Sequence, residues 1–158
     1  MQNGFSLLEL LVVIVLMAIL LGFSLPSYQR YVARAQVAEG LSLASALQTS
    51  IDEMYFSSGK MPQSLTSLGI ERIPHGRYVE KIDISQGQLV ITYGKQANSM
   101  LTERTLRMIP YADGEEIIWR CHKSELMIDG LNPIPGAQDM ALSSDLPTEL
   151  LPQTCRGS

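Results

Sequence analysis

Phe5 to Pro26 reads FSLLELLVVIVLMAILLGFSLP and holds a single charge, Glu9. As a helix, these 22 residues extend roughly 33 Å, enough to cross the hydrocarbon of a bilayer. A carboxylate in such a segment is costly in lipid and marks a functional position by default. Glu9 therefore has two readings. Either it lies near the interface and reaches back to water, or it waits for a cationic partner.

The residues around it carry a resemblance. Gly4, then Phe5-Ser6-Leu7-Leu8-Glu9, then the apolar run, resembles the class III signal of type IV pilins and their pseudopilin relatives. That signal has a Gly, a Phe, a small hydroxyl residue, two apolar residues and a Glu. The resemblance implies a leader of residues 1–4, removed by a prepilin peptidase that cuts between Gly4 and Phe5. It implies N-methylation of the new Phe5 amine. The apolar run is retained, unlike that of a secretory signal peptide. Met1-Gln2-Asn3-Gly4 lacks the Lys or Arg that leaders of this family usually carry.

Beyond the run, the chain is long enough for about one small domain. Hydrophobic residues make up 46% of it, and the net charge is −4. An acidic chain argues against bulk attraction to nucleic acid, which needs clustered Lys and Arg. Arg30 and Arg34 follow the run, while its N-terminal side has no basic side chain. Positive-inside counting alone would put the domain in the cytoplasm. The resemblance puts it on the opposite side, and the two indicators conflict.

The helix continues past the run. Pro26 predicts a kink, and Gly22 weakens the same turn. Val37, Leu41, Ala44, Leu47, Ile51 and Met54 recur at spacings of three and four, an amphipathic stripe. Gln36, Glu39, Ser42, Gln48, Ser50 and Glu53 lie largely off it. Gly59 is the expected terminator. One long helix from Phe5 to about Phe56 results, with a membrane or filament-core half, 5–26, and an amphipathic half, 27–56. The globular domain is read as 27–158. A connector, 57–77, holds a short turn near Ser64 to Leu68. A sheet of four candidate strands, 78–122, follows: Tyr78 to Ile84, Gln88 to Tyr93, Thr105 to Tyr111 and Glu116 to His122. Ser85-Gln86-Gly87 and Asp113-Gly114 between them predict hairpins and hence antiparallel neighbours. On the third strand, Leu106, Met108 and Pro110 share one face; Arg107, Ile109 and Tyr111 share the other. The tail from Lys123 reads as loop, broken by Pro133, Pro135, Pro147 and Pro152. The fold class is α+β, and this element order is also that of the type IV pilins.

Cys121 and Cys155 are the chain's two cysteines. Beyond a membrane-length segment, an isolated pair suits a disulfide better than a zinc site, for which the histidines are only His75 and His122. Two free buried thiols are the alternative. A disulfide would close the loop 121–155. Trp119-Arg120-Cys121 and Leu151-Pro152-Gln153-Thr154-Cys155 resemble the family's two cysteine contexts. Ser158 resembles a C-terminal serine that some type IV pilins carry as a glycan acceptor.

No catalytic motif is present in the sequence, and no cofactor is expected. Asp129, Asn132, Asp139 and Asp145 have spacing too irregular to favour calcium over a solvated loop. The chain reads as an enzyme substrate, not an enzyme. The resemblance implies a prepilin held in the inner membrane, handled by an assembly platform, and polymerised with copies of itself into a surface filament. Such filaments serve adhesion, twitching motility or DNA uptake. There Glu9 would pair with the Phe5 amine of a neighbour, and the segment from about Ala18 to Pro26, weakened by Gly22 and Pro26, would lose regular helix. A secretion pseudopilin is one alternative, though major pseudopilins typically hold the tail with calcium. A minor or competence pilin that binds DNA or a surface at the tip is another. For that role Arg104, Arg107, Arg120 and Lys123 are the basic candidates, read against scattered surface charge.

Overall fold

The computed structural model describes residues 4–121, 132–137, 144–152 and 155. Helix α1 spans Leu7–Ser58, and Gly59 follows it with φ +69°, its N–H donating to the Tyr55 carbonyl. A compact unit begins at Ala33, and the stretch through Val32 stands as a separate unit.

Within the compact unit, the helical stripe packs on one face of an antiparallel sheet. The strands are β1 (Val79–Ser85), β2 (Gln88–Tyr93), β3 (Thr105–Asp113), β4 (Glu116–Cys121) and β5 (Asn132–Pro133), in the order β1-β2-β3-β4, with β5 also on β3. A 3-10 turn, Leu65–Leu68, interrupts the connector. The α+β class is as expected from the sequence. Ala33, Val37, Ala44, Leu47 and Ile51 are buried against Ile82, Ile91 and Leu106 in one layer of cross-strand partners, and Ile84, Leu89 and Met108 in the next. Removing this much apolar surface from water is the main favourable term for the unit.

Local chemistry sets the register. Gln86 and Gly87 form a two-residue loop, both with positive φ (52° and 73°), and Ser85 faces Gln88 across it. Positive φ at both loop positions matches the right-handed twist of the two strands, and glycine adopts it without steric cost. At the second hairpin the loop is Gly114-Glu115, closed by the Asp113 and Glu116 pair. Gly40 answers a different demand. A Cβ there would meet the Tyr93 hydroxyl at 2.6 Å. That hydroxyl donates to the Val37 carbonyl at 3.2 Å, so helix and sheet approach closely at this point.

Two features differ from a half-solvated sheet with a polar helix back. Gln36, placed off the stripe by its sequence position, is buried, and its amide oxygen accepts the Asn98 N–H at 2.7 Å. Burial of an amide is tolerated because it is paired. Ile109 and Tyr111 are only 1% and 2% exposed, like the helix-facing Leu106. β3 is therefore covered on both faces, as befits a central strand.

The tail explains much of that centrality. β2 pairs with β3 only from Thr105 to Met108. β5 takes the same side farther on, opposite Tyr111 and Ala112, and the Ile134 N–H donates to the Pro110 carbonyl. On the other side β4 pairs from Met108 to Asp113. Before it, Ser144 and Asp145 serve the main chain of β3: the Arg107 N–H donates to Ser144 Oγ, and the Thr105 N–H to Asp145 Oδ1. Four segments thus share the two edges of one strand. Ile134, Leu146, Leu150, Leu151 and Cys155 join the core. Within the stretch that reads as loop in the sequence, the described residues 132–137, 144–152 and Cys155 pack against the sheet and core.

Candidate functional site

The first unit offers one continuous surface. Ser6 precedes α1, and its carbonyl accepts the N–H groups of Glu9 and Leu10 at 3.0 and 3.2 Å. Ser6-x-x-Glu9 occupies the positions of a capping box, a signal that sequence reading could have used. Glu9 accordingly sits in the first turn, where the positive end of the helix dipole favours a carboxylate. From Gly4 to Phe23 every side chain is exposed; Phe5 is 75% and Leu20 70% exposed. The helix is long and apolar enough to cross a membrane. It runs without interruption past Gly22 and through Pro26. An apolar surface of this extent is not sustained in water and calls for lipid or other apolar helices.

The second unit is stapled. Cys121, at the end of β4, is bonded to Cys155, with Cα atoms 5.0 Å apart. Around the staple, the tail is held by main-chain acceptors and donors. Gln88 Nε2 donates to the Ala137 carbonyl at 3.2 Å, and Arg34 Nε to the Glu149 carbonyl at 2.7 Å. The latter bond bears on the charge count beside the apolar run. Arg34 thus has a partner in the folded unit but remains an exposed cation, so the charge count still stands against the resemblance.

Two carboxylates tie the helix to the rest of the unit. Glu39 accepts the Arg77 N–H at 2.6 Å, drawing the connector against α1. A Cβ at Gly76 would collide with the same carboxylate. Asp52 accepts the Trp119 indole N–H at 3.0 Å. Burial pushes the Asp52 carboxyl above its ordinary range, and the indole bond partly offsets this. The folded protein thus holds the Asp52 proton more tightly than the unfolded chain does. This contribution to stability is present below the ordinary carboxylate range and is lost as pH rises through the folded-state value. Asp52→Asn keeps an acceptor for Trp119 and removes the titration. Melting curves of the detergent-solubilised chain should show the Asn variant gaining on the parent between acidic and neutral pH. Solvent screening keeps the gain at or below about 1 kcal/mol. Parallel curves would refute it.

Elsewhere the chemistry is sparse. Among the described residues no cluster of three metal-ligating side chains occurs. Asp145 accepts the N–H and hydroxyl of Thr105; Asp129 and Asp139 lie outside the described residues. His75 lines an open cleft of about 300 Å³ with Arg77, Glu80 and Lys95, a mixed-charge lining with no nucleophile–base pair. Of the basic candidates, Arg104 donates to the Asp145 carbonyl at 2.7 Å, Arg107 is half-buried, and Arg120 is exposed on β4. The sequence proximity of these arginines does not gather three exposed cations. Lys123, His122 and Ser158 lie outside the described residues.

Comparison with known proteins bears on both units. The family described as pilin (bacterial filament) matches residues 33–156, and the prokaryotic N-terminal methylation motif matches residues 1–25. The chain is 31% identical to a type IV major pilin protein, PilE1, of Neisseria gonorrhoeae, over 99% of this chain and 94% of the relative. It is 30% identical to a fimbrial protein of Neisseria meningitidis serogroup A, over 99% and 95%. It is 29% identical to the type IV major fimbrial protein FimA of Dichelobacter nodosus, over 100% and 98%. With an exposed apolar helix at one end, a helix-backed sheet closed by a disulfide at the other, and matches spanning both, the chain belongs to the type IV pilins, structural subunits of bacterial filaments rather than enzymes.

Proposed function

We propose that this chain is the major subunit of a type IV pilus. It is cut between Gly4 and Phe5, methylated on the Phe5 amine, and held in the inner membrane by residues 5–26 until an assembly platform extracts it. The observation that carries the reading is the helix surface from Leu7 to Phe23, exposed throughout and uncharged apart from Glu9. A helix apolar all round is a buried helix, and among the described residues it stays exposed. Lipid first and neighbouring subunits later supply the cover.

Two measurements test this. Intact-mass analysis of purified filaments should find a chain that begins at Phe5 and carries a methyl group; assembled subunits that retain Met1 would overturn the processing step. Electron microscopy of cells lacking the chain should show no filaments. Intact filaments in those cells would make it a minor subunit, and the alternative of a tip protein binding DNA or a surface would replace the major role.

The filament also sets a role for Gly22 and Pro26. Gly22 is a weak helix former, and Pro26 removes a donor and crowds the preceding turn. Opening of α1 therefore costs least between about Ala18 and Pro26. Packed against neighbours, this segment is expected to lose regular helix, and a filament map with unbroken helix through Leu20 to Leu25 would refute the proposal.

A further inference from the structure

Tyr28 and Tyr31 follow the apolar run at once, and both rings are exposed, 66% and 72%. Three residues apart on a helix, they share a face. Their positions along the axis are about 3 and 8 Å beyond Pro26 at ~1.5 Å per residue. If residues 5–26 fill a hydrocarbon core of about 30 Å, the headgroup layer on that side is about 5–8 Å deep. Both rings fall inside it. Tyrosine is suited to that layer because its ring is apolar and its hydroxyl bonds water or headgroups. Arg30 lies between the two in sequence, with a stem that can lie along apolar surface while its guanidinium faces phosphate. At the other end of the run the described residues hold no tyrosine or tryptophan; Phe5 has no hydroxyl. The polar-tipped aromatics are therefore one-sided.

We infer that Tyr28 and Tyr31 form an interfacial anchor that sets the depth at which the subunit rests in the bilayer before assembly. The apolar run tolerates sliding along the membrane normal, since one apolar residue replaces another. A pair of rings at the headgroup level does not slide without cost. The anchor fixes how deep the apolar run lies, and so how much of the helix the assembly machinery must draw out. This inference rests on the membrane-resident stage of the proposed function.

The test uses the full chain in vesicles of phosphatidylethanolamine and phosphatidylglycerol, without assembly machinery. A nitroxide on Leu20→Cys, an exposed position within the run, reports depth by power saturation with oxygen and a nickel chelate. The combined Tyr28→Ala and Tyr31→Ala change should move the label by about 3 Å or more, two residues of helix rise. The combined Tyr28→Trp and Tyr31→Trp change should leave it in place. Unchanged depth in the Ala pair would overturn the inference. If that pair instead blocks filament growth in cells while depth is unchanged, the rings are subunit contacts and the inference fails. If the parent itself does not insert, the membrane stage fails first and takes the anchor with it.

Discussion

Glu9→Ala is expected to leave the subunit inserted and folded while filament growth falls steeply. Three physical steps lead there. Removing a charge from an apolar segment makes membrane insertion easier, so no membrane defect follows. The compact unit begins at Ala33 and makes its own core, so its fold does not depend on Glu9. What is lost is the partner proposed for the Phe5 amine of a neighbouring subunit. A buried cation without its partner costs about 3–5 kcal/mol. Every incoming subunit would meet that cost, so elongation suffers more than abundance. The proposed pair would act chiefly on register, because a subunit offset by a turn would strand both charges. The measurement is surface filament yield against membrane-bound subunit in the same cells. Normal yield from the Ala variant would make Glu9 an interface residue that merely reaches water.

The second large effect is expected at the disulfide. Loss of a native disulfide from a small exported domain costs about 2–5 kcal/mol, here a fall in Tm of roughly 10 °C. Cys121→Ser is expected to show that fall in the solubilised chain, with lower subunit abundance in cells. The loss should be uneven. Leu146, Leu150, Leu151 and Cys155 are buried through the tail's return to the core, whereas β1 and β2 pair with each other and with the α1 stripe, touching the tail through Gln88 at the start of β2. Hydrogen exchange should therefore show protection failing first from Ser144 to Leu151 and last in β2. Equal loss throughout would mean that the staple supports the whole unit. Non-reducing peptide mapping should recover Cys121 linked to Cys155.

The sequence made some of this legible and hid the rest for physical reasons. The helical stripe from Val37 to Ile51 could be read because burial leaves a periodic side-chain signal. The first hairpin could be read because glycine marks its loop. The cysteine pair could be read because the alternatives are few. The packing of the described tail segments could not. β5 is two residues long, one of them proline, and it joins β3 through main-chain bonds that favour no residue type. Ser144 and Asp145 likewise serve β3 by local polar contacts that resemble any loop. Ile109 and Tyr111 face away from the helix-facing row of β3, and their burial depends on a covering that periodicity does not encode. Gln36 and Asp52 were hidden for the converse reason. A polar residue paired across the fold looks, in sequence, like one facing water.

The connector does more than join helix to sheet. Along β1 the Ile82 N–H donates to the Pro74 carbonyl, the Val79 carbonyl accepts the Gly76 N–H, and the Ile84 N–H is taken by the Asp83 carboxylate. A strand whose donors are occupied is a poor template for another chain. If, as proposed, subunits wait in the membrane before use, many copies form a pool in which their sheets can meet. A bare edge in such a pool would invite strand addition and β-aggregates that no assembly machine could draw upon. With β1 occupied, strand addition at that edge is disfavoured, and in the proposed membrane-held stage the apolar helix, lifted out of lipid, would be the surface that drives polymerisation.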